Sequence, residues 1–212
     1  MLSHYKTPLS RLGDPVARAL LRARVRPNHL TVVGLGVSIV AACAIAQGRL
    51  RLAAVLLAAA GLCDLFDGAL ARLANRVSAF GAFLDSVVDR YSDLMVLLGV
   101  VLYYEQLADT PGVCVTLVSI VGTIMVSYTK ARAQSIGVTC EIGLMERPER
   151  LIVLIAGALF NLLTPAMILL AVLTNLTALQ RILYTRRVSA AREPALPPLE
   201  TTPPGRAGMP EL

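Results

Sequence analysis

Long apolar stretches separated by short polar ones dominate the chain. Several approach the roughly 20 residues that a helix needs to cross a ~30 Å hydrocarbon core. We predict six transmembrane helices, with a break at 110–112 before the fourth and a fifth that is short unless it begins near Glu146. Gly34 and Ser38 give the first helix a small-residue face for close packing. The predicted spans are 30–46, 52–72, 80–104, 113–130, 151–160 and 166–183.

The two ends of the chain differ from this apolar middle. The first 29 residues lack a continuous apolar core and carry arginines throughout, so we do not expect a signal peptide. Asp14 followed by Pro15 is typical of a helix start, and the residues beyond it predict an N-terminal amphipathic helix in the membrane interface. We predict a membrane domain at 1–188 and, from its proline-rich composition, a disordered cytoplasmic tail at 189–212.

Composition supports an all-α integral membrane protein. Of the 212 residues 56% are hydrophobic, and the mean hydropathy of +0.66 is too high for an ordinary soluble domain. The net charge is +6, and the basic residues lie beside apolar spans. Anionic lipids and phosphorylated substrates are therefore better partners than nucleic acid. The four cysteines have no CxxC spacing, which indicates neither a zinc site nor a disulfide framework.

The distribution of basic residues predicts the orientation of the chain in the membrane. With six spans, one side holds the N-terminus, the 72–90 bend, the 130–150 loop and the C-terminal tail. All of the 20 lysines and arginines except Arg49 and Arg51 lie on that side. Because cytoplasmic loops are rich in lysine and arginine, we predict a multi-pass protein of the cell (inner) membrane with both termini in the cytoplasm.

Four aspartates interrupt the apolar sequence at helical spacing, namely Asp64, Asp67, Asp85 and Asp89. Residues three or four apart share a helix face, and a polar break at 75–78 would let two antiparallel helices bring the pairs together. Carboxylates in a low-dielectric site repel each other unless cations lie between them. Oxygen ligands without histidine or cysteine suit Mg²⁺ or Mn²⁺, so we predict a metal site at the cytoplasmic helix ends.

Two other interpretations of the aspartates compete with a metal site. Arg72 and Arg90 could neutralise two of them as structural salt bridges. However, intramembrane carboxylates are costly to bury, and the small residues Gly68, Ala71 and Gly81 beside them have no evident structural purpose. A divalent-cation transporter would also use such carboxylates, although it would place them near the bilayer midplane on discontinuous helices.

A second polar group consists of basic residues at the ends of three later helices. We accept ordinary membrane topology as the explanation for Arg186 and Arg187. The other members could converge on an anion beside the aspartates, and guanidinium geometry favours bidentate binding of phosphate. We therefore predict that the acceptor carries a phosphate. The members are Lys130, Arg132, Arg147, Arg150 and Arg181.

The aspartate pattern resembles the signature of the CDP-alcohol phosphotransferase family, and every fixed position is present. The resemblance implies a membrane enzyme that transfers a phosphatidyl-type group from a CDP-linked lipid to an alcohol, releases CMP and forms a homodimer. It implies that Asp64, Asp67, Asp85 and Asp89 bind two metal ions, with Asp89 also the general base. The implied CDP-lipid contacts are Thr31, Gly68, Ala71, Arg72 and Gly81. The signature itself is Asp64-x2-Asp67-Gly68-x2-Ala71-Arg72-x8-Gly81-x3-Asp85-x3-Asp89.

The later segments are similar to the branch of this family that uses inositol 1-phosphate. That similarity implies CDP-diacylglycerol as donor and inositol 1-phosphate as acceptor. Transfer to glycerol 3-phosphate is the alternative within the same reaction class. Asp93 either orients a hydroxyl, pairs with Lys130 or forms another structural salt bridge. The implied acceptor-phosphate contacts are Ser127, Lys130, Arg132, Arg147, Arg150 and Arg181.

Overall fold

The computed structural model describes residues 27–73 and 78–192, and within them the chain is helical without strands. Short turns join α1 to α2, α3 to α4 and α5 to α6, whereas residues 136–146 form a longer connection between α4 and α5. The predicted amphipathic helix precedes residue 27 and lies outside the described residues. The helices are α1 (Pro27–Ala46), α2 (Leu50–Leu73), α3 (Ala79–Gln106), α4 (Thr110–Ser135), α5 (Arg147–Leu159) and α6 (Leu163–Arg192).

The helices form a ring in which each packs against two neighbours, in the order α1, α2, α5, α6, α4, α3. Small residues permit the closest approaches. A Cβ added to Gly99 of α3 would come within 2.5 Å of the carbonyl oxygen of Ala42 in α1. Gly34 of α1 is buried, and a Cβ there would lie 3.4 Å from that of Cys63 in α2. Gly34, one of the two residues of the small-residue face predicted in the first helix, therefore packs against the second.

The outside of the ring is apolar as well as its interior. Ile45, Leu57, Val100 and Leu170 are buried in one core cluster that spans several helices. Large apolar side chains are also exposed on every helix, among them Val55 at 63%. A soluble monomer rarely exposes so much apolar surface, whereas lipid contact requires it. The prediction of an all-helical, multi-pass membrane protein is thus confirmed.

Four of the described helices are long and apolar enough to cross a membrane, while two are less typical. The four lie at Pro27–Ala46, Leu50–Leu70, Thr110–Ser135 and Leu163–Arg192. Helix α3 has 28 residues, but its first 15 include three aspartates and an arginine. Helix α5 has 13 residues and spans only about 20 Å. The number of six crossings therefore stays a prediction.

Two helix ends differ from the sequence expectation. The break predicted at 110–112 is wrong, because Thr110 begins α4 and the Asp109 carboxylate accepts a hydrogen bond from the Gly112 amide at 3.0 Å. Pro111 fits in this first turn, where its missing N–H costs nothing. Helix α6 continues to Arg192, whose Nη1 donates to the Gly137 carbonyl at 2.8 Å. The helix thus continues past residue 189, where the tail is predicted to begin, and the rest of the predicted tail lies outside the described residues.

Candidate functional site

Three of the four predicted carboxylates meet at one point. One oxygen each from Asp64, Asp67 and Asp85 lies within 4.8 Å of the other two. Asp64 and Asp67 lie near the end of α2, and Asp85 lies near the start of α3. Among the described residues, Asp85 Oδ1 is buried and has no hydrogen-bond partner. A cluster of carboxylate oxygens with one unpartnered buried member fits a hard divalent cation such as Mg²⁺ or Mn²⁺.

Helix α1 organises this carboxylate cluster. It packs against both α2 and α3, which make little contact with each other in the described part of the chain. From α1 the buried Thr31 hydroxyl donates a hydrogen bond to Asp67 Oδ2 at 2.8 Å. This bond fixes the carboxylate, in the way that outer groups orient metal ligands. Thr31 was assigned to the CDP-lipid by resemblance, and its contact with Asp67 was not predicted.

Asp89 lies one turn beyond Asp85 and outside the three-carboxylate group. Arg147, at the start of α5, brings it into the same network. The Nη1 atom of Arg147 contacts Asp64 Oδ2 and lies 3.0 Å from Asp89 Oδ1. The ion pairs of Asp64 and Asp89 thus come from Arg147, whereas Arg90 donates a hydrogen bond to the Ser86 carbonyl of its own helix. From the sequence, Arg72 and Arg90 were the candidates for neutralising two of the aspartates as salt-bridge partners.

Asp93 pairs with arginines of α5. Arg150 Nη2 lies 2.6 Å from Asp93 Oδ2, and Arg147 Nε lies 3.9 Å from Asp93 Oδ1. The suggested pair between Asp93 and Lys130 is wrong, because Lys130 lies 3.5 Å from Glu146 instead. Arg150 is only 5% exposed, so its guanidinium is buried beside Asp93 and does not extend into solvent.

Arg181 is the most enclosed of the predicted phosphate contacts, with 2% exposure. Its guanidinium donates from Nε to the Ile142 carbonyl at 2.7 Å, from Nη1 to the Val126 carbonyl at 2.6 Å and from Nη2 to Glu146 Oε1 at 3.0 Å. Glu146 therefore neutralises both Arg181 and Lys130. Sequence reasoning gave Glu146 no role, although its position directly before Arg147 in a basic segment was a usable signal.

The other predicted acceptor contacts are less closely connected to this network. Arg132 is exposed, and its Nη1 donates to Ser135 Oγ at 3.3 Å. Ser127 is half-buried on α4, one turn before Lys130. Their contact with an acceptor stays a prediction.

The small residues assigned to the CDP-lipid lie within four positions of the aspartates in the sequence. A Cβ on Gly68 would lie 3.6 Å from Nη1 of Arg72, so these two predicted contacts are neighbours. A Cβ on Gly81 would lie 3.0 Å from Ser78 Oγ, which caps α3 by accepting from the Gly81 amide. Gly81 therefore takes part in the cap of α3, and its contact with the lipid stays a prediction. The side chain of Ala71 lies outside the description.

A cavity opens beside the aspartates between α1, α2, α3 and α5. It joins the carboxylates to Arg147 and to hydroxyl groups on α1 and α3, so charged and neutral polar atoms face one space. Apolar side chains from three of these helices complete the wall. The lining residues are Thr31, Gly34, Leu35, Ser38, Ala60, Asp64, Asp67, Val88, Asp89, Ser92 and Arg147.

Comparison with known proteins gives consistent matches over most of the chain. Residues 24–182 match the family model of CDP-alcohol phosphatidyltransferase. The archaetidylinositol phosphate synthase of Methanothermobacter thermautotrophicus is 37% identical over 190 residues, covering 87% of this chain and 93% of that protein. The phosphatidylinositol phosphate synthase of Mycolicibacterium smegmatis is 36% identical over 198 residues, covering 88% and 89%.

Solved structures with the same fold carry informative ligands. The crystal structure of Mycobacterium tuberculosis phosphatidylinositol phosphate synthase with CDP-DAG bound is similar with a TM-score of 0.76 at 35% identity, covering 82% of this chain and 94% of that one. A structure of the same enzyme with manganese and citrate gives a TM-score of 0.76 at 34% identity, covering 82% and 88%.

Proposed function

The chain belongs to the CDP-alcohol phosphatidyltransferase family, and we propose that it transfers the phosphatidyl group of CDP-diacylglycerol to inositol 1-phosphate and releases CMP. Relatives that are 36–37% identical over most of both chains are named for the synthesis of inositol phosphate lipids. The observation that carries the proposal is the convergence of Asp64, Asp67 and Asp85 beside paired arginines from α5. The site offers both a place for divalent cations and cations for a phosphate.

The carboxylates are the proposed ligands of two divalent cations. Asp64, Asp67 and Asp85 would hold them, with Asp89 as the fourth contributor, and the orphaned Oδ1 of Asp85 supports this assignment. Bound Mg²⁺ or Mn²⁺ would neutralise the donor's pyrophosphate and stabilise the departing CMP. Thr31 keeps Asp67 in one orientation through its 2.8 Å hydrogen bond.

The donor is proposed to bind where α2 and α3 present small residues. Gly68 and Gly81 have no side chains, and with Ala71 they would let the cytidine approach the backbone. Arg72 is exposed and borders Gly68, which puts its guanidinium within reach of a pyrophosphate there. Arginine suits this contact because its planar fork matches phosphate oxygens.

The reaction itself requires one proton acceptor. An acceptor hydroxyl oxygen forms a new bond to the phosphorus that carries the diacylglycerol, the bond from that phosphorus to CMP breaks, and the hydroxyl proton passes to Asp89. Asp89 suits this role because it lines the cavity yet lies outside the three-carboxylate group. Arg147 Nη1, 3.0 Å from Asp89 Oδ1, orients the carboxylate.

The basic residues are proposed to hold the acceptor's phosphate. Lys130 and Arg181 are paired with Glu146, and Arg150 is paired with Asp93. An incoming group must replace a carboxylate partner to reach these cations, and an anion can do so where a neutral alcohol cannot. This favours inositol 1-phosphate over free inositol. Ser127 and Arg132 are proposed to complete the contact.

The positions of the site residues support six crossings and a cytoplasmic site. Thr31, Asp85 and Arg147 lie in the first halves of α1, α3 and α5, whereas Asp64, Lys130 and Arg181 lie in the second halves of α2, α4 and α6. Successive antiparallel helices would therefore bring all of them to one end of the ring. The excess of basic residues at that end favours the cytoplasmic side. The homodimer stays a prediction from family resemblance.

A CMP-release assay tests the proposed function. Purified protein receives CDP-diacylglycerol, Mn²⁺ and one acceptor, either inositol 1-phosphate, glycerol 3-phosphate or free inositol. We expect the fastest release with inositol 1-phosphate, slow release with free inositol, and none with excess EDTA or in Asp64→Asn, Asp67→Asn and Asp85→Asn. Turnover in EDTA would contradict the metal assignment. Faster CMP release with glycerol 3-phosphate than with inositol 1-phosphate would identify glycerol 3-phosphate as the acceptor instead.

A further inference from the structure

Arg147 lies among acidic side chains from two helices. Its Nη1 atom contacts Asp64 Oδ2 and lies 3.0 Å from Asp89 Oδ1, and its side chain is 22% exposed. Asp64 also belongs to the group whose carboxylate oxygens lie within 4.8 Å of one another. One guanidinium thus neutralises a carboxylate of the candidate metal cluster together with the candidate general base.

This position of Arg147 opposes the binding of a divalent cation at Asp64. The oxygen that faces the guanidinium belongs to a proposed metal ligand, and two cations at neighbouring positions repel each other strongly away from bulk water. Asp93 offers an alternative partner, since its Oδ1 lies 3.9 Å from Arg147 Nε. The guanidinium can therefore leave Asp64 without losing every acidic neighbour.

We propose that Arg147 is an exchangeable counter-ion of the aspartate cluster. It neutralises Asp64 until a divalent cation binds, and its release from Asp64 then makes the guanidinium available to the acceptor's phosphate. The second step rests on the proposed function, whereas the first concerns metal binding alone. The exchange links the two sites, so that the acceptor binds better after the cation. Such linkage is reciprocal between the two ligands.

The first test measures Mn²⁺ affinity without substrates. Free Mn²⁺ is followed by electron paramagnetic resonance during titration of purified wild type, Arg147→Gln, Arg147→Lys and Arg150→Gln. Arg150 is the matched control, because it lies on the same helix and pairs with Asp93. We expect Arg147→Gln to bind Mn²⁺ at least about fivefold more tightly, the factor for losing one partly exposed ion pair. Arg147→Lys and Arg150→Gln should stay within about twofold of wild type.

The outcomes of this titration separate the inference from the proposed function. Equal or weaker Mn²⁺ binding by a folded Arg147→Gln variant would overturn the inference. An Asp85→Asn variant is titrated alongside, and if it loses the ion, the assignment of the metal site to the aspartates stands. A wild type that binds no Mn²⁺ through these aspartates would overturn both.

The second test measures inositol 1-phosphate binding by calorimetry in EDTA. Asp64→Asn releases Arg147 from its partner without any metal, so this variant should bind the phosphate at least about fivefold more tightly than wild type. Asp85→Asn removes the same charge from the cluster but has no ion pair with Arg147 among the described contacts, and it should show a smaller gain. Equal gains in the two variants would indicate a general charge effect and overturn the exchange.

Discussion

The hydrogen bond from Thr31 to Asp67 offers a sharp test of the metal site. Thr31→Val keeps the shape of the side chain and removes only the hydroxyl. The hydroxyl has one proton, and its 2.8 Å contact with Asp67 Oδ2 is shorter than the 3.3 Å contact with the Pro27 carbonyl, so the carboxylate receives it. A hydrogen bond to a charged group contributes about 1.5–3 kcal/mol, which corresponds to about 10–150-fold in an equilibrium constant.

Losing an outer contact of a metal ligand typically lowers metal affinity by about 10–100-fold, in agreement with that value. We therefore expect Thr31→Val to need at least about tenfold more Mn²⁺ for half-maximal CMP release. Thr31→Ser is the control, since it keeps the hydroxyl and should behave as wild type. The assay varies Mn²⁺ at saturating CDP-diacylglycerol and acceptor. If the Mn²⁺ concentration for half-maximal CMP release is unchanged or lower in Thr31→Val, the view that Thr31 positions Asp67 is refuted.

Three further predictions concern other parts of the structure. Asp89→Asn should lower kcat by about 10²–10⁴ while the KM for CDP-diacylglycerol changes little, and steady-state kinetics showing the reverse would make Asp89 a binding residue. Gly99→Ala should lower the thermal unfolding midpoint, because its Cβ would meet the Ala42 backbone, whereas Gly36→Ala, with nothing within 4 Å, should not. Arg181→Met should destabilise the fold by about 1–3 kcal/mol for each of the Ile142 and Val126 carbonyls, because both lose their donor while Glu146 keeps Lys130. It should also raise the KM for inositol 1-phosphate at least about tenfold. An unchanged unfolding midpoint would show that Arg181 does not hold the 136–146 connection.

Local patterns were sufficient to predict the helices and the meeting of three aspartates. The length of an apolar stretch indicates a membrane helix because the bilayer has a fixed thickness. The spacing of Asp64 and Asp67 indicates that they share a helix face, because the helical repeat is fixed. These signals depend only on neighbours in the sequence. The start of α5 at Arg147 also agrees with the expectation of a helix beginning near Glu146.

The partners of the charged side chains could not be predicted in this way. Asp93 pairs with Arg150, and Glu146 pairs with Arg181, across 57 and 35 positions of sequence. Such pairs depend on the order of helices in the ring, and that order places α5 beside α2 and α6. No local periodicity encodes it. The same holds for α1, whose Thr31 supports Asp67 from a helix 36 positions away.

The central claim is that this site joins a phosphatidyl group to phosphorylated inositol, and a competition experiment tests it most directly. Purified protein in lipid nanodiscs receives CDP-diacylglycerol, Mn²⁺ and equal amounts of inositol 1-phosphate and glycerol 3-phosphate, and mass spectrometry identifies the product lipid. We predict a lipid that contains inositol and two phosphates, formed in step with CMP. A product containing glycerol phosphate in excess, or CMP released without a new lipid, would contradict the claim.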